Sequence, residues 1–358
     1  MSTDIGYSEL FLEKNLPLPE VDSKICAPLK KGAGHEIKYI HYSSIQHKDR
    51  KLPIFTAVNI KGEDYNAKPR EGNEPWAPSD QIEEGYQLLA HFYSKDENTF
   101  DRGHLVRRVD PCWGNAEIAD KAEIDTFKWT NCTPQHKKLN QKGGIWFELE
   151  QHVMEHGVKN KIANVSVFSG PVLDKNDKYF KVKYNEQGIK IPITYWKVIA
   201  WKKSDGKIHA VGFLMSQWEW IKDKLIIEEH FVKEQAKPKL EDDYFENLKF
   251  SDHKTYQVPI KEIEKVTGIK FNWPDVVFPY AKQAFTEIRG TKLNKSYSVA
   301  AFHHHFNAIE NKGLKSKREE SFKLLNENAA GTEELLSEIK KTGKSGLTKQ
   351  YNLNNVTL

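Results

Sequence analysis

Apolar residues in this chain gather in short runs bounded by turn-forming residues, a pattern that predicts strands more often than long helices. Between Lys38 and Ile60 the alternation predicts two strands joined by the polar turn His47 to Arg50, the second running from Leu52 to Val58. A polar loop rich in proline, glycine and asparagine follows from Lys61 to Pro78 and carries Arg70. Val165 to Val172 reads as a buried strand ending in a turn, Ile191 to Trp201 as another, and Ala210 to Met215 as a third. Helical patterning appears at Trp146 to His156 and again at Val258 to Val266. Strands interleaved with helices in this way predict an α+β domain, a mixed sheet with helices packed on it.

The two ends of the chain differ from this middle. Residues 1–36 are interrupted by Pro17, Pro19 and Pro28 and read as an N-terminal leader or edge segment with no function visible in the sequence. Beyond Pro279 the pattern turns polar and helix-like, at Ala281 to Gly290, Tyr297 to Lys312, Lys315 to Ala330 and Thr332 to Lys341. Thr332 suits a helix N-cap and Gly343 a helix stop. The expected division is therefore 1–36, a main domain over 37–279, and a helical appendage over 280–358. The run His303-His304-His305 reads as solvated or capping, because neighbours on a helix point to different faces.

With 358 residues and 38% of them hydrophobic, the chain has enough apolar material for a sizeable core. The 54 basic and 50 acidic residues leave a net charge of only +4, so any affinity for nucleic acid must come from local clustering and not from a bulk field. Cys26, Cys112 and Cys132 are too few for a zinc or disulfide framework, although Cys112 and Cys132 lie near enough in sequence for one bridge. The first twenty residues lack the basic start and apolar run of a secretory signal, and no stretch approaches the length of a membrane span. These features predict a soluble, cytoplasmic protein.

The chemistry concentrates between Phe100 and Glu150. Cleaving a phosphodiester requires an oxygen nucleophile, a cation to offset developing charge, and a base to take a proton from water. His104 suits the base, since imidazole titrates near neutrality, and Gly103 beside it allows close backbone approach. Nearby oxygen donors such as Asn140 favour a hard cation, and magnesium needs only one or two protein ligands if it keeps waters and takes phosphate oxygens. Asn131 is placed to hold the imidazole or a ligand water, Glu150 to orient the water shell, and Arg70 or Arg102 to clamp phosphate. Trp113, Trp129 and Trp146 read either as stacking platforms or as core, with Trp146 favoured as core.

Asp101-Arg102-Gly103-His104, then Asn131, Pro134 and Gln135, then Leu139-Asn140-Gln141, then Trp146, Leu149 and Glu150 follow one another in an order that resembles a known family. This is the DNA/RNA non-specific endonuclease family of the ββα-metal, or His-Me finger, superfamily, which includes secreted bacterial nucleases and mitochondrial endonuclease G. Similar segments recur at Phe168 to Pro171, at Ile191-Pro192 with Tyr195-Trp196-Lys197, and at Ile263-Glu264 with Thr267-Gly268, so the resemblance runs from about Lys38 to about Asp275. It implies a ββα-metal finger set in a mixed, largely antiparallel sheet flanked by helices. It further implies His104 as general base, Asn140 as metal ligand, Asn131 and Glu150 as supporting residues, and Arg70 as the arginine that stabilises the pentacovalent phosphate. The implied reaction is Mg2+-dependent hydrolysis, with Mn2+ as a substitute, of DNA and possibly RNA at little sequence preference, leaving 5′-phosphate and 3′-hydroxyl ends.

Two departures from the family pattern bear on the site. Gln141 to Ile145 is longer than the usual spacing, so counting from Asn140 nominates Glu148 while counting from Trp146 nominates Glu150, the preferred choice. Where the family often continues with small residues and proline, this chain has Arg107 and Arg108, expected to add phosphate contacts at the mouth of the site. Lys137 and Lys138 read either as a phosphate track or as a charged rim. The competing functional class is a catalytically silent descendant that binds nucleic acid or protein, and a phosphodiesterase for small nucleotides is a third reading. With no secretory signal in the first twenty residues, control by an inhibitor or regulatory protein, by assembly such as a homodimer, or by the C-terminal helices is expected, as in a defence effector or toxin; no membrane partner is expected.

Overall fold

The computed structural model of the chain describes residues 5–69, 72, 75–93, 100–142, 144–154, 164–175, 177, 179–182, 185–203, 205–221 and 255–278. Its strands are β1 (Glu36–Tyr39), β2 (Tyr42–Gln46), β3 (Pro53–Lys61), β4 (Phe100–His104), β5 (Cys132–His136), β6 (Asn164–Pro171), β7 (Tyr179–Val182), β8 (Asn185–Lys190), β9 (Thr194–Lys202), β10 (Ile208–Ser216) and β11 (Thr255–Val258). The α-helices among the described residues are α1 (Ala116–Asp125), α2 (Lys137–Asn140), α3 (Ile145–His152), α4 (Trp218–Ile221) and α5 (Ile260–Thr267). Seven strands form one antiparallel sheet in the order β1-β2-β3-β6-β9-β10-β11, and β4-β5 and β7-β8 stand apart as two-stranded ladders. This is the α+β architecture expected from the pattern.

Both faces of the large sheet are covered, which is why its central strands read as continuous apolar runs and not as clean alternation. On one face Val58, Ile60, Val165, Val167, Tyr195, Ile199 and Phe213 pack against Leu139 of α2 and Trp146, Leu149 and Val153 at α3. On the other, Phe55, Ala57, Phe168, Trp196, Val198 and Leu214 pack against Tyr7, Leu12, Leu16, Ile263, Phe271 and Trp273. Side chains along a strand alternate between faces, so Lys197 shares the face of Tyr195 and Ile199, beneath α3. It is 1% exposed.

Two expectations change and a third is narrowed. The predicted first strand is divided between β1 and β2 because His41 adopts a left-handed φ of 64°, held by stacking on Trp113 at 3.3 Å and a 2.7 Å hydrogen bond between its Nδ1 and the Pro111 carbonyl. The helix expected from Val258 begins only at Ile260, since Val258 still pairs with Gly212 and Pro259 separates strand from helix. Of the two readings of the N-terminal stretch, leader or edge segment, the contacts from residue 5 onward are those of a segment packed at the sheet edge. Tyr7, Leu12, Leu16 and Cys26 are buried in the second core, the Tyr7 amide donates to Ser43 Oγ at 2.8 Å, and Glu20 and Lys270 exchange backbone hydrogen bonds of 2.9 Å.

The bridge considered between Cys112 and Cys132 is not formed; all three cysteines are free and buried. Burial pushes the thiols up in pKa, Cys26 to about 11 and the other two further, so they are protonated near neutrality. The appendage expected after Pro279, with its histidine run, lies outside the described residues.

Candidate active site

The site is a cleft of about 680 Å³ lined by residues that include Trp76, Asp101, Arg102, His104, Arg107, Asn140 and Glu150. One wall is a finger made of β4, β5 and α2; the other is α3, seated on the large sheet. The sequence-predicted base, metal ligand and supporting glutamate are thus brought together.

The finger is locked by residues of the recurring segments themselves. Asp101 pairs with Gln135 and Gly103 with Thr133 across the β4-β5 ladder. A Cβ on Gly103 would lie 2.3 Å from the Gln135 side chain, so glycine is required for the fully buried glutamine to cross the strand there. At the end of β4 the His104 ring packs against Trp76, centroids 4.6 Å apart, and meets Phe127 edge-on at 5.0 Å. Trp76 in turn stacks on Trp129 at 5.1 Å. Aromatic packing on two sides therefore fixes the orientation of the imidazole.

Asn131 departs from its expected role. Its Oδ1 accepts from the Val106 amide at 2.8 Å, and its Nδ2 donates to the carbonyls of Val106 and Thr126, each at 2.9 Å. Its own carbonyl accepts from the Leu105 amide at 3.1 Å. Both amide protons are thus committed to backbone acceptors, and the fully buried side chain anchors the chain just after His104 instead of gripping the imidazole or a ligand water.

Asn140 closes α2 and faces the cleft. Its Nδ2 donates to Asp101 Oδ2 at 3.1 Å, and Gln141 Nε2 donates to Asp101 Oδ1 at 3.2 Å. A carboxylate only accepts hydrogen bonds, so Asp101 dictates which end of the Asn140 amide it meets and turns Oδ1 away from that contact. Asp101, the first residue of the Asp-Arg-Gly-His motif, received no role from sequence reasoning. Its signal was an acidic residue two strand positions from Gly103 and three from His104.

The extended turn before α3 has a steric explanation. A Cβ on Gly144 would lie 2.4 Å from the Leu139 carbonyl oxygen, and the Gly144 amide donates to the Gln141 carbonyl at 2.7 Å. This tight return starts α3 at Ile145 and keeps Trp146 and Glu150 one helical turn apart. Glu150 lines the cleft, while the side chain of Glu148 lies outside the described atoms.

Glu150 belongs to a buried charge cluster. Lys197 Nζ lies 3.4 Å from Glu150 Oε1, donates to Ser169 Oγ at 2.8 Å, and sits 4.1 Å from the Trp146 ring centroid. Burial pushes the Glu150 carboxyl up to about 7, against the pull of Lys197 and with a further push from Asp110. Burial likewise drives the Lys197 ammonium down and the Asp110 carboxyl up. Arg107 lies over the Phe147 ring at 5.4 Å, donates to the Glu150 carbonyl at 3.4 Å, and through its amide to Asp110 Oδ2 at 3.2 Å. Lys197 stood in the sequence only as part of a recurring segment and carried no role there, although a lysine inside a buried strand run is itself a signal of a paired charge.

The remaining basic residues divide. Arg102 is exposed and lines the cleft, and Arg107 lines it from beside Glu150. Arg108 also lines it, but its guanidinium is bound to Glu123 Oε1 at 2.6 Å and to the Lys68 carbonyl at 3.3 Å, so it anchors a loop where a free phosphate contact was expected. Lys137 and Lys138 are exposed at the start of α2, outside the residues that line the cleft. Arg70 lies outside the described residues. Trp113, Trp129 and Trp146 are buried, as core and not as open platforms.

A protein from Sinorhizobium fredii (strain NBRC 101917 / NGR234), uncharacterized protein y4fB, is 33% identical over 282 residues, covering 74% of this chain and 38% of the relative. A nuclease from Serratia marcescens is 30% identical over 117 residues, 33% of this chain and 40% of that one. A salivary endonuclease from Culex quinquefasciatus is 29% identical over 103 residues, 28% and 26% of the two chains. The matched region spans well under half the length of each of these relatives. Residues 22–275, most of the chain, match the family described as DNA/RNA non-specific endonuclease, and the chain belongs to that family.

Proposed function

We propose that this chain is a divalent-metal-dependent endonuclease that hydrolyses phosphodiester bonds of DNA and RNA with little sequence preference. The observation that carries the reading is the meeting, in one cleft, of the His104 imidazole, the Asn140 carboxamide oriented by Asp101, and the Glu150 carboxyl.

The donor set fits a hard cation. Among the described residues there is no cluster of three or more His, Cys, Asp or Glu able to hold a metal, whereas Asn140 and Glu150 line the same cleft. Mg2+ suits such a single-ligand anchor, with Mn2+ as substitute. When bound, the cation supplies positive charge opposite the developing charge on phosphate and leaving oxygen. His104 takes a proton from water, whose oxygen attacks phosphorus; the P–O3′ bond breaks, leaving a 3′-hydroxyl after protonation and a 5′-phosphate. Arg102 and Arg107 offer donors to the phosphate, and Arg70 is the proposed third. Asn131 acts through the backbone after His104, and Lys137 and Lys138 contribute electrostatic attraction at the rim.

The full chain is expected to nick and then degrade supercoiled plasmid with Mg2+, to stop with a chelator, and to lose cleavage in His104→Ala while remaining folded. Undiminished cleavage by that variant would sink the mechanism. A wild-type protein that binds nucleic acid but cuts nothing under any divalent metal would favour the silent binding module.

A further inference from the structure

Lys197 occupies a position where lysine is rare. It lies in the middle of β9 on the face that packs against α3, flanked on that face by Tyr195 and Ile199, and is 1% exposed. Three groups on two elements hold its ammonium: Ser169 of β6 accepts from it at 2.8 Å, the Trp146 ring of α3 lies 4.1 Å away, and Glu150 Oε1 of α3 stands at 3.4 Å. Asp110, buried, and Arg107, half-buried at the cleft, complete the group, so two acids stand against two bases. Glu150 alone of the two carboxylates lines the cleft, and Lys197 stands directly behind it.

We propose that Lys197 is a positioning residue for the reaction: from within the sheet it fixes the Glu150 carboxyl group at the cleft, and so sets how well the cleft holds a divalent cation. The inference rests on the nuclease reading for its chemistry, but its geometry stands independently. Removing the ammonium takes away the group that ties the Glu150 carboxyl group to the sheet, so that group is no longer fixed at the cleft and what it offers there changes. A purely architectural ion pair, tying α3 to β9, would instead change only stability.

The test compares full-length wild type with Lys197→Met, Lys197→Met/Glu150→Gln and Ser169→Ala. Mn2+ binding is followed by electron paramagnetic resonance without nucleic acid, plasmid cleavage is measured alongside, and folding is checked by near-ultraviolet circular dichroism and melting. Lys197→Met is expected to weaken both Mn2+ binding and cleavage by about 10- to 100-fold. The double variant is expected to recover the melting temperature lost in Lys197→Met, since one uncompensated acid is gone, yet to bind Mn2+ no better. Ser169→Ala should shift Mn2+ affinity in the same direction by about 5-fold, the worth of one hydrogen bond. A folded Lys197→Met protein with wild-type Mn2+ affinity would overturn the proposal, leaving Lys197 as a structural tie. If Lys197→Met does not fold, unchanged Mn2+ affinity in Ser169→Ala overturns it instead. A wild type that binds Mn2+ but cuts nothing would sink the nuclease reading alone, while the Mn2+ affinities would still decide the role of Lys197.

Discussion

His104 and Asn140 stand on a two-stranded finger close to solvent, whereas Glu150 stands on a helix pressed against the buried face of a seven-stranded sheet. On the finger, orientation comes from hydrogen bonds and close approach: Asp101 on Asn140, Asn131 on Val106, Gln135 over Gly103. On the sheet side it comes from buried charges, Glu150 and Asp110 against Lys197, with half-buried Arg107 beside them at the cleft. The first kind of support fails one bond at a time. The second fails when a single charge is removed, because the penalty of the uncompensated partner grows as the local dielectric falls.

The largest expected effect lies at the hidden joint of the finger. Asn131→Ala strips partners from the Val106 amide and from the carbonyls of Val106 and Thr126, all buried, and should destabilise the fold by about 3 kcal/mol, read by denaturant unfolding. A loss below about 0.5 kcal/mol, typical of a surface site, would show that Asn131 is not the anchor argued above. Next comes Asp101→Asn, which can present an amide proton to Asn140 and so permits its carboxamide to turn over. Cleavage should fall by about 10-fold with the melting temperature nearly unchanged. Equal losses in stability and activity would break the distinction between orienting and holding.

The remaining test probes the sheet side through pH. Burial holds Glu150 at about 7, above the ~4.3 of an exposed glutamate, so the native state binds a proton that the unfolded chain releases. Its contribution to stability is full below the unfolded value and is lost as pH rises toward the folded one. The metal-free protein should therefore lose stability between about pH 4.5 and 7, and Glu150→Gln should flatten that loss. Buried Asp177, also pushed up to about 7 beside Arg50, contributes a second component that Glu150→Gln leaves in place. A profile identical in wild type and Glu150→Gln would mean that Glu150 is not desolvated.

The sequence announced the finger because its motif residues carry local signals: a glycine before a histidine, amides at fixed spacing, a tryptophan one helical turn from a glutamate. It announced the central strands because β6, β9 and β10 are buried on both faces and read as unbroken apolar runs. It did not disclose the partners of polar groups. A carboxamide such as Asn131 bonds equally well to a ring or to a backbone, and only the path of the chain after His104 decides. Arg108 meets Glu123 and Lys68 only because α1 and the preceding loop converge on it. The N-terminal segment is fixed by isolated bridges and distant contacts, such as Glu20 with Lys270, that leave no periodic trace.

The central claim is that the Asn140 carboxamide, turned by Asp101, anchors the cation beside His104. The most direct measurement is the rate of supercoiled plasmid cleavage by wild type and Asn140→Ala as Mg2+ is titrated, with folding confirmed by circular dichroism. The account predicts a Mg2+-dependent wild-type rate and, for a folded Asn140→Ala, a fall of about 100-fold. Wild-type rates from Asn140→Ala across the titration would contradict it.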